Sequence, residues 1–147
     1  MSIKATLTEE LKAAMKARAT IRLATIRALQ TAIKEAEISA QKELEDPQVL
    51  DLIQKQLKQR QDSEALYEQN DRPDLALRER QEAEELQSFL PQAMSQDEID
   101  AVIEAAIAET GASSIKDMGK VIALIKPQVA GRADNAAVAQ AIKQRLG

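Results

Sequence analysis

The chain has no cysteine, no histidine and no tryptophan among its 147 residues. Without cysteine there are no disulfides, no thiolate nucleophile and no thiolate zinc site. Without histidine the commonest general base and the commonest transition-metal ligand are gone. Ser-His-Asp and Cys-His catalysis are therefore excluded, and a metal could be held only by carboxylates. Tyr67 and Phe89 are the only aromatics, so a core must be built from aliphatic side chains. Base stacking on aromatic rings is nearly ruled out as a binding mode. Glycine and proline are scarce, four of each. No apolar run approaches the ~20 residues that span a bilayer, and the first residues lack the apolar core of a signal peptide. These absences lead to the expectation of a cytoplasmic protein without membrane contact.

Hydrophobic residues make up 44% of the chain and charged residues 30%, enough for a folded core. The net charge of −4 is unevenly spread. Residues 1–34 carry seven Lys/Arg against two acids, a net +5. Residues 35–110 carry seven bases against twenty acids, a net −13. Residues 111–147 carry six bases against two acids, a net +4. Any nucleic-acid footprint must then be local.

Apolar residues recur with helical period throughout, and no stretch alternates as a strand does. Thr8 is the expected cap of a first helix, with Leu11 and Met15 on one face. Arg18-Ala19-Thr20 is a break. Leu23, Ile26, Ile33 and Ala36, with Leu29 and Ala32 beside them, follow as an apolar stripe. Asp46-Pro47 and Asp71-Arg72-Pro73 are helix starts, with aspartate as cap and proline in the first turn. Ion pairs are expected within the helix from Arg78 to Glu82 and from Arg80 to Glu84. Phe89-Leu90-Pro91 closes this part, because proline holds its predecessor extended. Ser95 and Glu98 have the spacing of a capping box, and Gly111 is a left-handed stop. The next helix should run from about Lys116 to Lys126 with Pro127 ending it, and Asp134 should cap the last. The expected fold is all-α: an elongated helical bundle or hairpin over residues 1–91, then a three-helix bundle over 92–147.

No catalytic constellation emerges. Glu82, Glu84 and Glu85 lack the Glu-x-x-His partners of a metal bundle and are read as solvated surface. Met118-Gly119-Lys120 lacks the upstream glycine of a phosphate loop. Gly119 itself suggests close helix packing or close approach by a ligand. The segment from Lys126 to Asp134 suggests more. Gly131 permits a tight turn, Arg132 is expected to point outward, and Lys116, Lys120 and Lys126 precede it. Such a turn could meet phosphates, although an ordinary capped loop explains the same residues. Lys4, Lys12 and Lys16, with Arg18, Arg22 and Arg27, form a second basic region, for which an ordinary solvated face is the plainer reading. Phosphate and shape would carry any contact there, which suits a folded RNA.

Four segments together carry a family resemblance: Leu23-Ala24-Thr25-Ile26-Arg27-Ala28-Leu29; Phe89-Leu90-Pro91; Lys116-Asp117-Met118-Gly119-Lys120-Val121-Ile122; and Gly131-Arg132-Ala133-Asp134. In order and spacing they resemble the YqeY family over essentially the whole chain. That family is similar to the tail of the B subunit of the tRNA-dependent amidotransferase, and to an appendage of some glutaminyl-tRNA synthetases. The resemblance implies a longer helical N-terminal domain, a small three-helix C-terminal domain and a grip on tRNA. It also carries the label of a carbon–nitrogen ligase using glutamine as amido-N-donor. The chain has no ATP site or glutaminase nucleophile, so that label is read as inherited from the full enzyme. No cofactor is implied. Lys120, Gly131 and Arg132 stand in the matching motif; Arg22 and Arg27 belong to the N-terminal helices. Asp134-Asn135 departs from the family pattern, where glycine is common.

The resulting expectation is a non-catalytic accessory protein that holds the outer corner of tRNA, with Lys116, Lys120, Lys126, Gly131, Arg132, Arg22 and Arg27 as contacts. A protein–protein adaptor without nucleic acid is the alternative. A component that supports amidotransferase chemistry in trans is the third reading.

Overall fold

The computed structural model describes residues 1–147 and is all-α, without a strand. Seven helices follow in order: α1 (Ile3–Ala17), α2 (Thr20–Ala40), α3 (Asp46–Gln69), α4 (Pro73–Gln87), α5 (Gln96–Thr110), α6 (Met118–Val129) and α7 (Asn135–Leu146). A 3-10 turn, Ile115–Asp117, leads into α6. The chain divides into two compact units, Met1–Leu90 and Pro91–Gly147.

In the first unit, α1 and α2 form one antiparallel pair and α3 and α4 another. The expected stripe of α2 does go inside: Ile26, Leu29 and Ile33 meet Leu7 of α1, Val49 and Ile53 of α3, and Leu86 of α4. Each such aliphatic side chain contributes about 1.5–3 kcal/mol by leaving water. Leu11 packs against this core, but Met15 is 53% exposed, contrary to the expectation that the two share an inward face. The outer part of the α3–α4 pair is joined by charge. Buried Ala76 and Ala83 line α4, and Arg80 reaches across to Glu64 (2.7 Å) and Glu68 (3.1 Å). Arg80 thus leaves its expected partner Glu84, while Arg78 does pair with Glu82 at 3.2 Å.

Helix starts show where local signals compete. Ser2, not Thr8, caps α1, its hydroxyl accepting from the Ala5 amide. Thr8 lies a turn further in and its hydroxyl donates to the Lys4 carbonyl. Glu45, not Asp46, caps α3. The Asp46 carboxylate instead accepts the Ile3 amide at 3.0 Å, tying the starts of α1 and α3 together. Arg72 precedes α4, and Asp71 is left-handed at φ 56°.

Arg22 on α2 holds three helices. Its guanidinium donates to Glu85 of α4 (2.6 Å), to Glu10 of α1 (3.1 Å) and to the Ser88 hydroxyl (3.1 Å). It also lies 4.7 Å from the centroid of the Phe89 ring. Burial works against its charge, but the carboxylates of Glu85 and Glu10 outweigh that and raise its pKa. Lys4 and Glu37 pair at 2.7 Å nearer the other end of the α1–α2 pair, and the Leu44 amide donates to the same carboxylate.

The second unit has its own core, with Ile103 of α5, Val121, Ile125 and Val129 of α6, and Val138 and Ile142 of α7. The capping box forms as expected: the Ser95 hydroxyl accepts from the Glu98 amide at 3.1 Å. Gly111 stops α5 at φ 67°. Asp134 caps α7 by accepting from the Ala136 amide. Pro127 does not end α6, which continues to Val129. Proline removes one amide donor from the ladder, but burial of Val129 holds the last turn in place.

Two substitutions measure these effects. Arg22→Ala should cost about 2 kcal/mol, because it strips hydrogen bonds from two carboxylates and a hydroxyl and removes the cation over the Phe89 ring. Arg22→Lys should recover less than half, having no fork to span both acids; urea titration of the single variants measures this. Gln41 caps α2 in the left-handed region at φ 56°. Gln41→Gly should therefore raise stability by about 0.5–1 kcal/mol, seen as a melting point a few degrees higher.

Candidate nucleic-acid interface

The candidate cations fall into two classes once the carboxylates are placed. Residues 111–147 are basic, but they fold against α5, which carries Asp97, Glu98, Asp100, Glu104 and Glu109. The second unit as a whole has six bases and seven acids, a net −1. Arg145 pairs with Asp100 at 3.3 Å and with Glu104 at 3.7 Å.

Arg132 is part of the same neutralisation. Gly131 is buried and left-handed at φ 72°, so the turn is tight, as expected. Arg132 does not point outward, however. Its Nε donates to the Gln92 carbonyl at 2.9 Å and its Nη2 to Glu98 at 3.3 Å. Its own carbonyl accepts the Met94 amide at 2.8 Å. Arg132 therefore pins residues 92–94 and the first turn of α5 to the α6–α7 turn. Neither partner was visible from sequence, because they lie 40 and 34 positions away.

Lys116 and Lys120 are different. Both are exposed, neither has a carboxylate within ion-pair distance, and they lie one turn apart where the 3-10 turn passes into α6. Gly119 lies between them. A Cβ built there would meet no atom within 4 Å, so this glycine serves no helix packing and leaves the backbone open. Asp117 faces inward on its own loop. The amides of Ser113 and Ser114 donate to its carboxylate and lower its pKa, with a smaller contribution from Lys120. Asp117 thus orders the approach to the lysines.

Lys126 is exposed, but by helical period it lies well round α6 from Lys120. It borders an apolar cavity of about 260 Å³ between α6 and α7, lined also by Ile122, Ile125, Val129 and Val138. The structure thus brings Lys116 and Lys120 together around Gly119 and leaves Lys126 and Arg132 elsewhere.

In the first unit Arg22 is committed to Glu85 and Glu10, whereas Arg27 is exposed with no ion-pair partner. Glu82 and Glu85 are partners of arginines. No group of three or more carboxylates is placed to hold a metal ion.

Comparison with known proteins gives a consistent assignment. Two curated relatives carry the same name, "Altered inheritance of mitochondria protein 41, mitochondrial". The one from Lachancea thermotolerans is 40% identical over 108 residues, covering 71% of this chain and 58% of the relative. The one from Kluyveromyces lactis is 39% identical over 101 residues, covering 66% and 54%. The chain thus matches little more than half the length of these relatives. Their names overturn the expectation of a cytoplasmic protein. That expectation rested on the lack of a secretory signal and of an apolar span, and neither absence separates one compartment from another. No helix is long and apolar enough to cross a membrane. The model of the Yqey-like protein family matches residues 4–146, and with almost every residue inside that match the chain belongs to the YqeY-like family.

Proposed function

We propose that this chain is a non-catalytic accessory protein that binds the phosphate backbone of tRNA, in the manner of the amidotransferase tail. The supporting observation is the exposed Lys116–Gly119–Lys120 segment, two unpaired cations flanking an open stretch of backbone. Exposed lysines are point charges that need no fixed geometry to meet a phosphate. An open glycine lets a sugar–phosphate strand come close to the main chain. With Tyr67 and Phe89 both in the first unit, the second unit offers no ring for a base. Recognition would then run through charge and shape, which suits a folded RNA.

In this reading Arg132 shapes the unit and the lysines meet the ligand. The ligase label carried by the family belongs to other domains of larger assemblies. This chain supplies grip.

Fluorescence anisotropy with bulk tRNA from 50 to 200 mM salt tests the proposal. Wild type should bind with a steep negative salt slope. Lys116→Glu with Lys120→Glu should lower the slope magnitude by about 1–2. Lys55→Glu with Lys58→Glu, on α3, should leave the second unit's share of the slope intact. No binding of wild type at low salt would defeat the proposal and favour a protein–protein adaptor. Gly119→Ala should keep the fold or stabilise it by up to about 1 kcal/mol, since alanine meets nothing there. Its tRNA affinity should nevertheless fall; unchanged affinity would show that the ligand does not approach this backbone.

A further inference from the structure

The segment from Leu23 to Leu29, one of the four that carry the family resemblance, takes no part in the function proposed above. Three of its residues, Ala24, Thr25 and Ala28, form one wall of a cavity of about 140 Å³ within the first unit. Gln56, Gln59 and Arg60 of α3 face them, with Glu82 of α4 alongside. The two alanines leave space that longer side chains would fill. Thr25 is the one buried polar residue of the chain. Ala24, Ala28 and Gln59 are exposed, so the cavity opens to solvent on their side.

The fold does not use up the polar groups around this cavity. Arg60 makes its contacts through one nitrogen. Its Nη1 donates to Glu82 at 3.3 Å and lies 3.3 Å from Glu79. Its Nε and Nη2 have no acceptor in the chain, and together they form the edge that meets a carboxylate with two parallel bonds. The carboxamides of Gln56 and Gln59 make no hydrogen bond within the protein. The Thr25 hydroxyl donates to the Ile21 carbonyl at 2.8 Å and keeps an oxygen that can accept. Glu82 receives Arg60 on one oxygen and Arg78 on the other, and each oxygen has capacity for a further bond.

Charge and volume select the ligand. Arg60 and Arg78 balance Glu79 and Glu82. The buried Oε2 of Glu79 takes no hydrogen bond, so its charge is incompletely met. A simple anion on Arg60 would add negative charge beside two carboxylates, whereas a zwitterion adds none. An α-amino acid carries its ammonium on the carbon next to its carboxylate. Glu82, 3.3 Å from the same guanidinium, is placed to accept that ammonium. A cavity of about 150 Å³ takes benzene, so this one has room for about six to eight non-hydrogen atoms.

We propose that this cavity binds a small free α-amino acid, with its carboxylate on the Nε–Nη2 edge of Arg60 and its ammonium on Glu82. The carboxamides of Gln56 and Gln59 meet its short side chain. The site lies in the first unit and does not depend on the tRNA reading.

Nitrogen-15 correlation spectra of the full chain, titrated with L-alanine, L-serine and L-threonine, test this. The side-chain amides of Gln56 and Gln59 and the Nε–H of Arg60 should shift, with a Kd on the order of a millimolar for so small a ligand. Propionate and ethylamine each keep only one of the two charged groups of alanine, and L-tryptophan is too large. All three should leave these signals in place. Ala28→Leu fills the cavity without removing a hydrogen bond and should weaken binding at least tenfold, its fold checked by circular dichroism melting. Arg60→Gln should weaken binding as much; if that variant does not fold, Ala28→Leu and Gln56→Leu decide. No shift with any of the three amino acids at about 20 mM overturns the proposal. An equal shift with propionate also overturns it, making the cavity a plain anion site. A shift kept in Ala28→Leu overturns it too, because the ligand then sits elsewhere.

Discussion

Carboxylates of the chain itself decide which cations can meet anything else. Twenty-four acids face twenty bases, and the acids are concentrated in α3, α4 and α5. Arginine, with a planar fork that spans two oxygens, is drawn into these pairs and into bonds with carbonyls and rings. Arg22 joins α1, α2 and α4 in this way, Arg60 and Arg80 join α3 to α4, and Arg132 and Arg145 fasten α6–α7 and α7 to α5. Most of these are half-exposed pairs, individually worth at most about 1 kcal/mol. Their effect is mainly on geometry. They fix how the helices sit against one another, and they leave Lys116, Lys120 and Arg27 without an ion-pair partner.

Local features were legible in the sequence because their causes are local. The Ser95–Glu98 box, the Gly111 stop and the Arg18-Ala19-Thr20 break each depend on a few neighbours, and each forms. The apolar stripe of α2 was readable for the same reason. The misplacements have non-local or competing causes. Asp46 is an adequate cap, but the Ile3 amide, 43 positions away, takes its carboxylate and Glu45 caps instead. Thr8 loses to Ser2 because a helix extends to the earliest cap its sequence allows. Pro127 marks the end of α6 to within a turn, and burial of Val129 explains the difference.

The candidate site was less legible than the fold. Sequence placed Lys116, Lys120, Lys126, Gly131 and Arg132 in one basic tail. The charge count over 111–147 left out the acids of α5, although the expected three-helix unit over 92–147 contains them. Arg22 and Arg27, similar in sequence, prove opposite in role: one is locked among Glu85, Glu10 and Phe89, the other is exposed. Only the register between helices separates them. The acid-rich composition of α5 was the one available hint, since basic side chains packed near it would be neutralised first.

The division between committed and uncommitted cations can be observed directly. Nitrogen-15 spectra of the arginine side chains, recorded during titration with tRNA, report each guanidinium separately. If RNA meets only the uncommitted cations, the Arg27 Nε–H signal should shift and broaden while those of Arg22 and Arg132 stay in place. Perturbation of Arg132 or Arg22 with an unmoved Arg27 would contradict that division, showing that RNA displaces the chain's own carboxylates.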